Sequence, residues 1–165
     1  MSKESVIFSG SKLGYKGLFD LSLIYKKLRL WLIDEGYNDP NEIKYVEMVK
    51  PEGKIIEFIW ETSKTEENNY FKIKQKIKFN IIGLQEVEVE QEGKKIKLNN
   101  AEIEVSFDSS LVSNSDNSWQ DENLMHRLYQ RFIIPDKIEH YKIEAYKNTT
   151  SIMDEIKNYF NLYKF

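Results

Sequence analysis

From Tyr70 to Ile81 the apolar residues Phe71, Ile73, Ile77, Phe79 and Ile81 alternate with Lys72, Lys74, Lys76 and Lys78. A period of two predicts a β-strand with one buried face. The runs that follow keep the alternation and switch the charge: Glu86, Glu88 and Glu90 around Val87 and Val89, Lys95 and Lys97 around Ile96, Glu102 and Glu104 around Ile103. Alternating sign from one strand to the next suits antiparallel neighbours with a solvated face.

The turns set a register. A two-residue turn at Glu92-Gly93 places Gln91 opposite Lys94, Glu90 opposite Lys95, Val89 opposite Ile96 and Glu88 opposite Lys97. A second such turn at Asn99-Asn100 sets Lys97 against Glu102 and Ile96 against Ile103. A turn near Gly83 brings Phe79 to Val87, and a loop over 64–69 sets Trp60 against Ile73, Glu61 against Lys72 and Glu57 against Lys76. A slip of one residue would turn every apolar side chain outward, so the agreement of character predicts a meander.

An amphipathic helix precedes the meander, opening at Asp20 as N-cap and closing at Gly36, with Ile24, Leu28 and Trp31 or Leu32 at helical spacing. Ser5 to Phe8 or Leu13 to Phe19 supplies a first strand. A strand over 43–50 turns at Pro51-Glu52-Gly53 into another over 54–62. Beyond Phe107 the Ser-, Asn- and Asp-rich segment to Ser118 reads as a loop or a fraying strand end. A helix follows from about Gln120 to Ile133. The last helix, from Pro135 to about Asn161, carries the stripe Ile138, Tyr141, Ala145, Thr149, Ile152, Met153, Ile156, Tyr159 and Phe160. It would span roughly 40 Å at about 1.5 Å per residue.

These elements predict an α+β fold: a curved antiparallel sheet of about six to seven strands packed against an N-terminal helix and a long C-terminal helix. One domain covers 1–165, with an N-terminal strand region over 5–19, a helix over 20–36, the meander over 42–112 and two C-terminal helices over 119–161. A length of 165 residues with 41% hydrophobic residues suffices for one core. The chain has no cysteine, which excludes disulfides and thiolate chemistry, and no apolar run long enough to span a bilayer. The segment 1–10 lacks the apolar core of a secretory signal, so the expectation is a soluble cytoplasmic protein in which the Asn148-Thr149-Thr150 sequon is incidental.

The order strand, helix, antiparallel meander and long C-terminal helix, from about Ser5 to Phe165, resembles the helix-grip architecture of the START, pollen-allergen and polyketide-cyclase type. Pro51-Glu52-Gly53 lies where some of those proteins carry a glycine-rich loop. The resemblance implies a sheet gripping the final helix around an apolar cavity. Candidate lining residues are Trp60, Ile73, Gln75, Ile77, Phe79 and Phe107 from the sheet, with Tyr141, Tyr146 and Met153 from the helix. Ordinary close packing is the competing reading of each. Gln75 is the one polar residue in the middle of its apolar strand face, and it needs a ligand, a water or the hydroxyl of Tyr141 or Tyr146 as a partner.

Candidate chemistry is sparse. Most carboxylates fall on predicted solvent faces, and the two histidines, His126 and His140, have no metal-ligand spacing. No catalytic residue, metal or cofactor is therefore assigned. Lysines beside Tyr70 and Phe71 suit nucleic acid, but the glutamates on both neighbouring strands and a net charge of −3 oppose it. A three-residue turn after Lys50 would bring Tyr45 opposite Ile59 and Val49 opposite Ile55, an apolar outer patch. That patch is either a contact with another subunit or protein, or is covered by Leu124, Leu128 and Phe132. The expectation is a non-catalytic module that binds a small apolar ligand or a protein; the alternative is an assembly subunit forming a homo-oligomer with a filled core.

Overall fold

The computed structural model describes residues 2–66, 69–113 and 124–163. The chain runs β1 (Lys3–Phe19), α1 (Leu21–Asp34), β2 (Asn41–Lys50), β3 (Gly53–Glu66), β4 (Phe71–Gln91), β5 (Lys94–Ser113), α2 (Leu124–Phe132) and α3 (Ile134–Asn161). The fold is α+β, with one open antiparallel sheet in the order β1-β5-β4-β3-β2. No described helix is long and apolar enough to cross a membrane.

The sheet has five strands instead of the expected six to seven, because two expected turns lie inside longer strands. Near Gly83 the chain does not reverse: a register irregularity between Ile82 and Gln85 lets β4 continue for 21 residues. At Asn99-Asn100 the chain also runs on. Asn99 pairs with Glu86 on one side and Phe19 on the other, so β5 has partners along both edges and no reason to fold back. Ile103 accordingly faces Ile81 and not Ile96. The Glu92-Gly93 turn forms as expected. Both of its residues have positive φ, 50° and 76°, and the four expected pairs from Gln91↔Lys94 to Glu88↔Lys97 are present.

Two other registers differ. Trp60 faces Ile77, four residues beyond Ile73, because β3 extends to Glu66 and shortens the following loop. An even shift keeps every side chain on its face. Glu61 therefore meets Lys76 at 4.0 Å, and Glu57 sits between Lys44 at 2.7 Å and Lys78 at 3.7 Å. Between β2 and β3 the turn has two residues, Pro51 and Glu52, with Lys50 opposite Gly53. Tyr45 thus faces Phe58, Met48 faces Ile55, Val49 faces Lys54 and Lys44 faces Ile59. β1 covers both expected N-terminal segments, with register shifts between Val6 and Phe8 and between Phe8 and Ser11.

The helices follow from their end signals. Asp20 Oδ1 accepts from Leu23 N at 3.0 Å, and Asn99 Oδ1 accepts from Leu21 N at 3.0 Å. At the other end Tyr37 N donates to Leu32 O and Gly36 N to Ile33 O, each at 3.0 Å, with Gly36 at φ +96°. This is a Schellman close. Ile24, Leu28 and Leu32 of α1 and Tyr141, Ala145, Thr149, Ile152, Ile156 and Phe160 of α3 are buried. They share one core with Ile56, Phe58, Trp60, Phe71, Ile73, Ile77, Phe79, Ile81, Ile103, Val105 and Phe107 of the sheet. Leu124 and Phe132 of α2 are 70% and 65% exposed, so α2 does not cover the strands with the apolar face expected to do so. Of the Ser-, Asn- and Asp-rich segment expected as a loop or fraying strand end, 108–113 complete β5 in the middle of the sheet, paired with β4 on one side and β1 on the other, whereas 114–118 and the start of the following helix lie outside the described residues.

Candidate functional site

The expected cavity residues Trp60, Ile73, Gln75, Ile77, Phe79, Phe107 and Tyr141 converge as a packed interior. Phe58 stacks on Phe79 at 4.4 Å, and Trp60 meets the edge of Phe79 at 5.4 Å. Met153 packs half-buried against this core. Tyr146 does not join it: the ring is 54% exposed and stacks on Phe8 at 5.1 Å.

Gln75 sits inside the core, in a row with Thr62 on β3 and Ser109 on β5. Its partners are neither of the expected tyrosines. Gln75 Nε2 donates to Thr149 Oγ1 at 2.9 Å and lies 3.3 Å from the Tyr37 hydroxyl, while the Thr149 hydroxyl donates back to Ala145 O at 2.9 Å. Thr62 Oγ1 donates to Asn38 O at 2.6 Å. Burial pushes the Tyr37 hydroxyl up to about 12, against the opposing hydrogen bond from Gln75. Thr149 was legible as a polar position in the buried stripe of α3; Tyr37, one residue past the helix-ending Gly36, carried no such signal.

The apolar opening lies at the edge of this core. A cleft of about 450 Å³ between the start of α1 and the β2–β3 hairpin is lined by Leu21, Ser22, Tyr25, Tyr45, Ile56, Phe58 and Asn99. The Tyr25 ring stands edge-on to Phe58 at 5.5 Å and to Trp60 at 5.1 Å, whereas Tyr45 lies parallel to Phe58 at 6.3 Å. Both hydroxyls reach outward, Tyr25 donating to Glu42 Oε1 at 2.9 Å and Tyr45 to Glu47 Oε2 at 3.1 Å. Burial first, and these carboxylates second, raise the pKa of both phenols. Asn99 Oδ1 is engaged by Leu21 N, which orients the carboxamide so that its Nδ2 is the donor left over. Of the expected interface residues only Tyr45 borders this cleft. Val49 shares the inner face with Tyr45, while Ile55 and Ile59 point to the outer face with Met48 and Lys44.

The outer face carries a polar trough of about 540 Å³. Lys72, Lys74 and Lys76 run down its middle, with Glu4 and Asp108 along one flank and Glu61 and Asp39 along the other. Lys74 meets Glu4 at 3.7 Å, and Ser110 donates to the same carboxylate at 2.6 Å; together they hold its pKa low, the hydroxyl contributing most. Exposed pairs of this kind each contribute about 0.2–1 kcal/mol. Among the described residues no group of three or more His, Asp or Glu is arranged to hold a metal. His140 lies 3.8 Å from Glu144 on the exposed side of α3.

No family model, curated protein or solved structure matches this chain.

Proposed function

We propose that the protein is a non-catalytic binding module of helix-grip type, which takes a small apolar molecule in the cleft between α1 and the β2–β3 hairpin. The observation that carries this reading is the contrast between a filled interior and an open aromatic edge. Apart from Tyr146, the residues expected to line an internal cavity are packed into the core, whereas Tyr25, Tyr45, Ile56 and Phe58 border a space of about 450 Å³. That volume is in the range of small-molecule sites, which are mostly apolar with a few placed polar groups. Asn99 Nδ2 and the Ser22 hydroxyl are the polar groups here, so the fitting ligand has a flat apolar body and one hydrogen-bond acceptor.

The helix-grip comparison is supported by element order: the first strand pairs with the last, and the C-terminal helix packs on the inner face. A cytoplasmic location belongs to the same reading, from the absence of cysteine.

Titration with 1-anilinonaphthalene-8-sulfonate, followed by amide chemical shifts, tests the proposal. Saturable binding should perturb Leu21, Tyr25, Tyr45 and Asn99, and Ser22→Trp, which fills the mouth from an exposed helical position, should weaken it at least tenfold. Unchanged affinity in that variant, or shifts confined to another surface, would overturn the assignment.

A further inference from the structure

We infer that β2 is a self-pairing edge, through which two copies of this chain join their sheets antiparallel about a twofold axis at Val46. This inference is independent of the ligand reading. All ten residues of β2 are exposed, and the strand presents Ile43, Tyr45, Val46, Met48 and the 80% exposed Val49 at the sheet's open side.

The two edges of the sheet are built differently. β1 is broken by register shifts on either side of Phe8, the second spanning Gly10, whose φ is +63°, and exposes Lys3, Glu4, Lys12 and Lys16. Bulges and charges are the ordinary means of blocking edge-to-edge pairing. On β2 the central charges do not guard the edge, because both are drawn back over β3: Lys44 to Glu57 at 2.7 Å and Glu47 to Lys54 at 2.9 Å. Its single irregularity lies at one end, between Glu42 and Lys44, and Pro40 and Pro51 stand just outside the strand.

Symmetry and charge choose the register. A twofold axis normal to the sheet keeps both inner faces on one side, so residues directly opposite must come from the same face. Centring on Val46 sets Val46 against its own copy, Tyr45 against Glu47, and Lys44 against Met48. Glu42 then arrives at the end held by the partner's Lys50. No like charges meet: the Tyr45–Glu47 hydrogen bonds of the two copies lie side by side, and the stem of Lys44, its ammonium held by Glu57, covers a methionine. Centring on Glu47 would oppose Glu47 to itself and Lys44 to Lys50. Centring on Tyr45 would set Glu47 against Ile43. The occupant that fits is therefore a second copy of the chain.

Because the chain has no cysteine, one introduced thiol reads the register directly. Antiparallel neighbours have Cα atoms about 4.5 or 5.5 Å apart, inside the disulfide range of about 4.4–6.8 Å. Val46→Cys should cross-link under mild oxidation, and Met48→Cys, offset from its own copy, should not. Sedimentation of the unmodified protein should give twice the chain mass. Val46→Lys should give the monomer with an unchanged circular dichroism spectrum, since Val46 is a surface residue opposite Glu57. A monomeric unmodified protein would overturn the inference and leave the edge to a strand from another protein. A dimer that survives Val46→Lys, or that cross-links at 48 and not at 46, would overturn it equally.

Discussion

Gln75 Nε2 donates to Thr149 Oγ1 across 2.9 Å, joining the first part of β4 to the middle of α3 where both side chains are buried. Leaving one buried partner without the other costs about 1–3 kcal/mol, whereas replacing both by apolar groups of similar shape is close to neutral. Thr149→Val and Gln75→Leu should each lower the free energy of unfolding by that amount. The double substitution should lose less than the sum, with a coupling of about 0.5–3 kcal/mol. Urea unfolding of the four proteins measures the cycle, and strict additivity would mean the two side chains act separately.

The same polar island sets an alkaline limit. The Tyr37 hydroxyl has an ordinary value of 10.0 and is raised to about 12 in the folded protein. The folded state thus holds its proton longer than the unfolded state does. The associated stability is complete below pH 10 and is lost as pH rises through about 12. At one pH unit per ~1.4 kcal/mol, the loss approaches about 3 kcal/mol. Tyr37→Phe should flatten the decline of the thermal midpoint between pH 10 and 12, although it forfeits the contact with Gln75 at neutral pH. An equally steep decline in that variant would assign the alkaline limit to other tyrosines.

How much of this was legible depended on whether the deciding contact was local. The faces of β4 and β5 were readable from their alternation, and the Gln91–Lys94 hairpin from the positive-φ chemistry of Glu92-Gly93. Asn99-Asn100 offers similar turn chemistry, yet β5 runs on because β1 pairs along it from the far end of the sequence, and Gly83 is taken up as an irregularity in the register of β4 against β5. The shift of Trp60 from Ile73 to Ile77 was invisible for another reason: a period of two cannot distinguish registers that differ by an even number. The β2 faces were misread because a turn one residue shorter inverts them, which splits Tyr45 and Val49 from Ile55 and Ile59. At the candidate site, Gln75 stood out as a lone polar residue on its strand face. Its partners lie 38 and 74 residues away, and the cleft draws its walls from α1, β2, β3 and β5 together. No single stretch of sequence could display either arrangement.

The start of α1 is closed by two side chains, one of them distant in sequence. Asp20 accepts from Leu23 N, and Asn99 from Leu21 N, each at 3.0 Å. Removing a carboxylate or amide cap costs about 0.5–2 kcal/mol. Asp20→Ala should lower stability within that range, and Asn99→Ala should lower it comparably because it frees a backbone donor at the same helix end. A guanidinium melt checks both. Asn99→Ala should also loosen the cleft wall, seen as faster amide exchange at Leu21 and Ser22 than in Asp20→Ala.

Gly53 and Gly83 touch where the β2–β3 turn crosses the irregular point of β4. A Cβ built on Gly53 falls 2.7 Å from the carbonyl carbon of Gly83 and 2.9 Å from its oxygen, both rigid backbone atoms, and Gly53 has φ +130°. A Cβ on Gly83 meets only Glu52 O at 4.0 Å, although its φ is +69°. The two alanine substitutions therefore separate steric from conformational cost. Gly83→Ala should lose about 1–2 kcal/mol, the penalty for a left-handed alanine. Gly53→Ala adds a backbone collision to an unfavourable φ, so it should lose more, beyond about 3 kcal/mol, and lower the thermal midpoint further. Equal midpoints for the two variants would mean that the turn moves away from β4 without cost.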